Sequence, residues 1–248
     1  MSVNIPVVNA PYLSVQGLEI SVVDDENATV QLGQARNSGN ENDIILSAAA
    51  TVNNLVNGLN GLDTGTVAAS TLYSLYLVGD SSLNNDAGLV MSLSATSPVL
   101  PSGYDMYRKI GYLRTDGTSD FLLGYWSGSS NERIFMYDAP IATAITAGAA
   151  TTDTAVSLAT FVPAVAGLPV YMFYDLTPAA ASRILTLKPY GAVGAPWTVT
   201  SQVTAVHMTG VALVQAQLLV GVPNLEYIWS AGGGDAVALN VAGYQYTI

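Results

Sequence analysis

The sequence predicts an all-β protein of two β-sandwich-like domains with little helix. Three observations carry this prediction. Gly, Pro, Asn, Asp and Ser recur at intervals of roughly 8–15 residues, and the runs between them are rich in Val, Ile, Thr, Tyr and Leu, as in short strands joined by turns. Several of those runs alternate apolar with polar residues, the period of a strand with one covered face. Helical periodicity is scarce.

Taken along the chain, the first region is acidic, with Glu19, Asp24, Asp25, Glu26, Glu41 and Asp43. The one helical candidate is Ser47 to Leu59, where an Ala-rich stretch leads into Val52, Leu55, Val56 and Leu59 at helical spacing. Thr71 to Val78 is apolar on both faces, and so is Val170 to Tyr174; each is expected to be a strand covered on both sides at the centre of one half. Alternation is clean in three places: Leu89, Met91 and Leu93 against Ser92 and Ser94; Trp197, Val199 and Val203 against Thr198, Thr200 and Gln202; and Tyr244, Tyr246 and Ile248 against Gln245 and Thr247. Between Ala139 and Asp153 the composition shifts to small residues and threonine. This segment is expected to be a linker or a first edge strand between an N-terminal domain, 1–140, and a C-terminal sandwich, 150–248. The absence of an internal repeat argues against a propeller or solenoid.

Composition bounds the function. The 248 residues suffice for one large all-β domain or two sandwiches of roughly 100 residues each. Half of the residues are hydrophobic and 10% are charged, a balance that implies surface covered by other subunits. The start, MSVNIPVVNAPYL, has neither the basic opening nor the apolar run of a signal peptide, and no run approaches the roughly 18 apolar residues of a membrane span. A soluble protein with no cleaved leader and no membrane insertion is expected. Zero cysteines exclude disulfides, thiolate nucleophiles and sulfur-ligated metals, and suit a protein made in a reducing cytoplasm. A formal charge of −11 repels a phosphate backbone and argues against a nucleic-acid partner. Arg108, Lys109 and Arg114 are the local exception, expected as solvated or salt-bridged strand residues.

No constellation points to catalysis. The single histidine, His207, is in phase with Trp197, Val199 and Val203 and is expected to be an inward or interface residue with a local hydrogen bond; no Gly-x-Ser-x-Gly elbow accompanies it. Asp24, Asp25 and Glu26, and the loop Gly79 to Asp86 containing Asp80, hold the oxygen donors that calcium takes. Neither has an EF-hand spacing, and turn closure by side chain to backbone bonds is the preferred reading. Gly232, Gly233, Gly234 and Asp235 lack the Lys-Ser/Thr of a phosphate loop and are expected to form a hairpin. The fourteen tyrosines are expected mainly in the core and in subunit interfaces. No catalytic, cofactor-binding or metal-ligating residue is therefore assigned.

Two blocks carry a family resemblance. Gly58–Val78 reads GLNGLDTGTVAASTLYSLYLV, and Gly88–Asp116 reads GLVMSLSATSPVLPSGYDMYRKIGYLRTD. Together they resemble a module of tailed-phage and prophage virion proteins of the tail fibre or head fibre type, over about Gly58 to Asp120. The matching positions are Gly61, Leu62, Asp63 and Gly65; Leu72 and Tyr73, with Leu72 where the family often has Trp; Pro98, Leu100, Pro101, Gly103 and Tyr104; and Arg108, Ile110 and Gly111. The resemblance implies a non-enzymatic virion protein, a tail fibre or tail-associated adaptor. A head decoration or head fibre protein is the alternative, and a glycan-cleaving tailspike the distant one. It also implies contacts with other virion proteins of tail or capsid and with host surface glycan, and it selects a homotrimer as the oligomer.

Overall fold

Strands form where β-branched and aromatic side chains fill the inward positions of a pleated run. The computed structural model describes residues 14–127, 132–193, 197–201, 207–230 and 236–247, with the side chains of 142–144, 146, 147 and 236 outside that description. The first half of the chain contributes β1 (Val15–Gly17), β2 (Ile20–Val22), β3 (Asn27–Val30), β4 (Gly33–Arg36), β5 (Asp43–Leu46), β6 (Ala50–Asn53), β7 (Gly61–Leu62), β8 (Leu72–Gly79), β9 (Gly88–Ser92), β10 (Met106–Arg114) and β11 (Gly124–Ser127). There follow β12 (Glu132–Gly148), β13 (Thr154–Ser157), β14 (Leu168–Thr177), β15 (Ile184–Pro189), β16 (Trp197–Thr200), β17 (Met208–Leu219), β18 (Val222–Trp229) and β19 (Ala236–Thr247). No helix occurs among the described residues, and the fold is all-β.

The helix expected over Ser47 to Leu59 is the first correction. β6 occupies Ala50–Asn53 and pairs with β3, burying Val52, whereas Leu55 is 74% exposed. Two asparagines turn the chain away from a helix. Asn53 Oδ1 accepts from Leu55 N at 2.8 Å, and Asn54 Nδ2 donates to Asp25 O and Ser119 O. Asparagine competes in this way with the backbone pairing that a helix needs.

Three sheets result. β1, β4 and β5 form a small antiparallel sheet; β10, β8, β9 and β7 form a second, antiparallel except for the parallel β7–β9 pair. The third has twelve strands in the order β16-β15-β18-β17-β14-β19-β12-β11-β2-β3-β6, with β13 paired to β18. β12 carries strand through the segment expected as linker or first strand as far as Gly148, and it pairs with β11 on one side and β19 on the other. Its register with β19 shifts between Met136 and Ile141, around Pro140, which has no N–H to give to a ladder.

The core is continuous from Val15 to Tyr244. Where β11, β12 and β19 meet, Phe135 sits 4.7 Å from Tyr137, 5.1 Å from Trp126 and 5.5 Å from Tyr244, ring centre to ring centre. β8 is buried on both faces from Tyr73 onward, as expected of Thr71 to Val78. β14 is less covered: Val170 and Met172 are fully buried, but Tyr171, Phe173 and Tyr174 on or beside the other face are half-buried. Expected alternation holds in β16, fails in β9, where all five residues are buried, and leaves Leu93 exposed beyond the strand end. β9 lies inside its sheet, so both of its faces are covered.

Candidate functional site

The residues that carry the family resemblance fold into one connected unit around the second sheet. β7 lays Gly61 and Leu62 beside Val90 and Met91 of β9. Gly61 is required there, because a Cβ at that position would stand 2.1 Å from the Val56 carbonyl oxygen. Asp63 then ties the two blocks together: its backbone N–H donates to Met91 O at 2.9 Å, while its carboxylate accepts from Thr64 N at 2.7 Å and from Val99 N at 2.9 Å.

Val99 lies in the Pro-x-Leu-Pro-x-Gly-Tyr turn. Pro98 is buried; Gly103 holds φ at +86°, a conformation that suits glycine, and Tyr104 N donates to Pro101 O. Leu100, Tyr104 and Tyr107 pack on Tyr76, Val78 and Val90, which is what covers the second face of β8 and β9. The Tyr104 hydroxyl donates to Asp86 O at 2.8 Å. The Tyr73 hydroxyl accepts from Ala68 N at 2.8 Å, with Leu72 half-buried beside it.

A cleft of about 280 Å³ opens on the edge of this unit, lined by Ser38, Tyr76, Ala95, Thr96, Arg108, Lys109 and Tyr246. β10 supplies both cations. The Lys109 ammonium donates to Ala95 O and to the Tyr112 hydroxyl, each at 3.0 Å, and lies 5.1 Å from the Tyr112 ring centre and 5.5 Å from that of Tyr246. Those two rings meet edge to face at 5.0 Å. The Tyr76 hydroxyl donates to Ser94 O, and burial pushes its pKa up to about 12, so it stays protonated at neutral pH. Lys109 has no acidic partner among the described residues, whereas Arg36 pairs with Asp43, and Lys188 with Asp153 and Glu226.

Of the three basic residues expected to be solvated or salt-bridged, Arg108 and Arg114 are not solvated. Arg108 is 8% exposed, and Arg114 is buried with its Nε donating to Thr160 O and its guanidinium 5.0 Å from the Phe161 ring. Burial holds the Arg114 pKa below its ordinary value. A long apolar stem and a planar cation that stacks on a ring let arginine be buried where carbonyl acceptors are close.

The acidic loops close their own turns. Asp24 Oδ1 accepts from Glu26 N, Asn27 N and Asn27 Nδ2 at 2.8–3.0 Å. Asp80 Oδ1 accepts from Ser82 N, and Oδ2 from Asn84 N, Asn85 N and Asn85 Nδ2, at 2.8–3.2 Å. Backbone donors favour the ionised form, first Glu26 N for Asp24 and first Ser82 N for Asp80, and hold both carboxyls below their ordinary pKa.

His207 is exposed, and its Nε2 contacts the Asp175 carboxylate on the neighbouring strand. Of the inward or interface placement expected for it, the inward one is overturned, while the expected hydrogen bond is present; residues 202–206, which would link it in phase to Val199, lie outside the described residues. Gly232 to Asp235, expected to form a hairpin, also lie outside the described residues. The meeting of Lys109 with Tyr246 had no signal in the sequence, because the two lie in different sheets and distant parts of the chain. Comparison with protein families, curated proteins and solved structures finds no match to this chain.

Proposed function

We propose that this chain is a non-enzymatic structural protein of a tailed bacteriophage particle, a tail fibre or tail-associated adaptor that works through contacts with its own copies, with other virion proteins and with the host surface. The observation that carries the proposal is the Asp63 connection. The Gly-Leu-Asp-x-Gly turn and the Pro-x-Leu-Pro-x-Gly-Tyr turn, on which the resemblance to phage virion modules rests, are bonded into one packed unit. A resemblance spread over positions that shared no contact would have been weaker support.

The working form in this proposal is a homotrimer. Apolar side chains stand outward on β14 and β17: Val211 and Leu213 are about half exposed, opposite Phe173 and Tyr171. Charge supports a second copy as their cover, since fourteen of the eighteen acidic residues precede Ala139 and four follow it, with two of the seven bases. Copies meeting through β14 and β17 would keep most of their like charge apart from the contact. Labelled antibody against the protein, applied to intact particles, tests the placement: decoration of the tail is expected, decoration of the head moves the protein to a capsid role, and no binding to particles overturns the proposal. Reproducible release of reducing sugar from host polysaccharide by the purified protein would overturn its non-enzymatic part.

A further inference from the structure

We infer that the open edge of β5 takes an extended, basic segment of another protein as an added strand. The inference rests on the contacts with other virion proteins proposed above and names the site and chemistry of one of them.

Main-chain groups define the edge. β5 ends the small sheet β1-β4-β5 and pairs on one side alone, with β4. In an antiparallel ladder, alternate residues turn their N–H and C=O toward the same neighbour. Asn37 N donates to Asn42 O where the β4–β5 pair begins, so the bonds to β4 come from Asn42, Ile44 and Leu46. Asp43 and Ile45 turn theirs the other way, and among the described residues nothing bonds to the main-chain N–H or C=O of either. Edges elsewhere are covered: Asn53 N of β6 donates to Asn60 O, and on β10 Tyr107 O accepts from Ser38 N and Arg114 O from Leu122 N. Proteins commonly guard a free edge with proline, lysine or a bulge. β5 has none of these; its one charge, Asp43, is paired with Arg36, and Ile45 at its middle is 60% exposed.

Charge selects the occupant. β5 lines a cleft of about 280 Å³ together with Asp80, Leu83 and Asp86. The Asp80 oxygens hold their own loop, but no cation neutralises them, and Asp86 is exposed with no cationic partner among the described residues. Two uncompensated carboxylates in a chain of −11 favour lysine or arginine and reject acidic side chains. They also oppose a second copy here, because pairing β5 with the β5 of another copy would bring two such clefts together. The trimer contact proposed above uses β14 and β17 of the large sheet and leaves this edge free. Side chains of an added strand alternate between faces. Those opposite Ile45 would lie against its exposed apolar side chain. The residues between them, long and basic, would enter the cleft with their stems along Leu83 and their charge toward Asp86.

The test titrates the full chain with the peptide acetyl-TVKVKVT-amide, followed by NMR. Saturation below about 1 mM is expected, with slowed hydrogen exchange at the Ile45 N–H. The acidic analogue acetyl-TVEVEVT-amide, and the basic peptide N-methylated at its valines and lysines, should each bind at least about tenfold more weakly, the scale of one lost hydrogen bond. I45P removes an outward N–H and no bond of the fold, the position at which an edge strand tolerates proline, and should weaken the basic peptide by about tenfold. D86N, at an exposed position, should weaken it by about threefold, as loss of an exposed ion pair does; it and the methylated peptide decide the matter even if I45P fails to fold. No saturation up to about 1 mM, equal binding of the acidic or methylated peptide, or unchanged affinity in folded I45P or in D86N would each overturn the inference. Dissociation of the oligomer on saturation with peptide would place a second copy at this edge and overturn it too. Failure here is separable from failure of the proposed function: particles that carry the antibody label while the protein ignores the peptide remove only this site.

Discussion

Asp80 shows how a single carboxylate can hold a loop. Its two oxygens gather three backbone N–H groups and the Asn85 amide, and its pKa is held below the ordinary aspartate value chiefly by the N–H of Ser82. A carboxyl whose folded pKa lies below its unfolded one, about 3.9, stabilises the fold above that value, and the contribution disappears as pH falls through the lower, folded value. D80N is therefore expected to melt several degrees lower than the parent at pH 7, because an amide nitrogen cannot accept from Asn84 N and Asn85 N. The gap should narrow as the pH is taken down to 3. Melting curves at pH 7, 5 and 3 decide it, and a gap that stays constant would refute the charge-based account. The role of this aspartate was legible in the sequence because its partners lie within five residues. Lys109 was not legible, since its surroundings come from Ala95, Tyr112 and Tyr246 and only folding brings them together.

Among elements, the strands with marked composition were readable and the ambiguous ones were decided by partners. β8 was expected to be covered on both faces and is, because the turn from Pro98 to Tyr104 folds over one of them. Ser47 to Leu59 has helical spacing, yet Asn53 and Asn54 spend their side chains on turns and on the loops of Asp25 and Ser119, contacts that spacing alone does not encode. β12 joins its neighbours through Phe135, which touches Trp126, Tyr137 and Tyr244. F135A should cost about 3–5 kcal/mol, the range for deleting a buried phenyl group. Denaturant titration checks this; a loss under about 1 kcal/mol, the central value for arbitrary substitutions, would show that the aromatic cluster repacks freely.

At the scale of the whole molecule, the outward residues of β14 and β17 and the uneven charge make the oligomer testable. Light scattering at physiological salt should report a mass near three times the 25.7 kDa chain, and L213D, which buries a charge in the proposed contact, should shift it to monomer. A stable parent monomer at micromolar concentration would refute the oligomer; a dimer would refute only the stoichiometry. The topology has a further consequence for biogenesis. β19 lies between β14 and β12, so the two flanks of the large sheet are joined by the strand made last among those described. Until residue 247 has left the ribosome, β12 and β14 each present an unpaired edge, open to pairing with another nascent chain. Folding of this sheet is thus deferred to the end of translation of this segment, and a chain stalled before Ala236 is expected to aggregate.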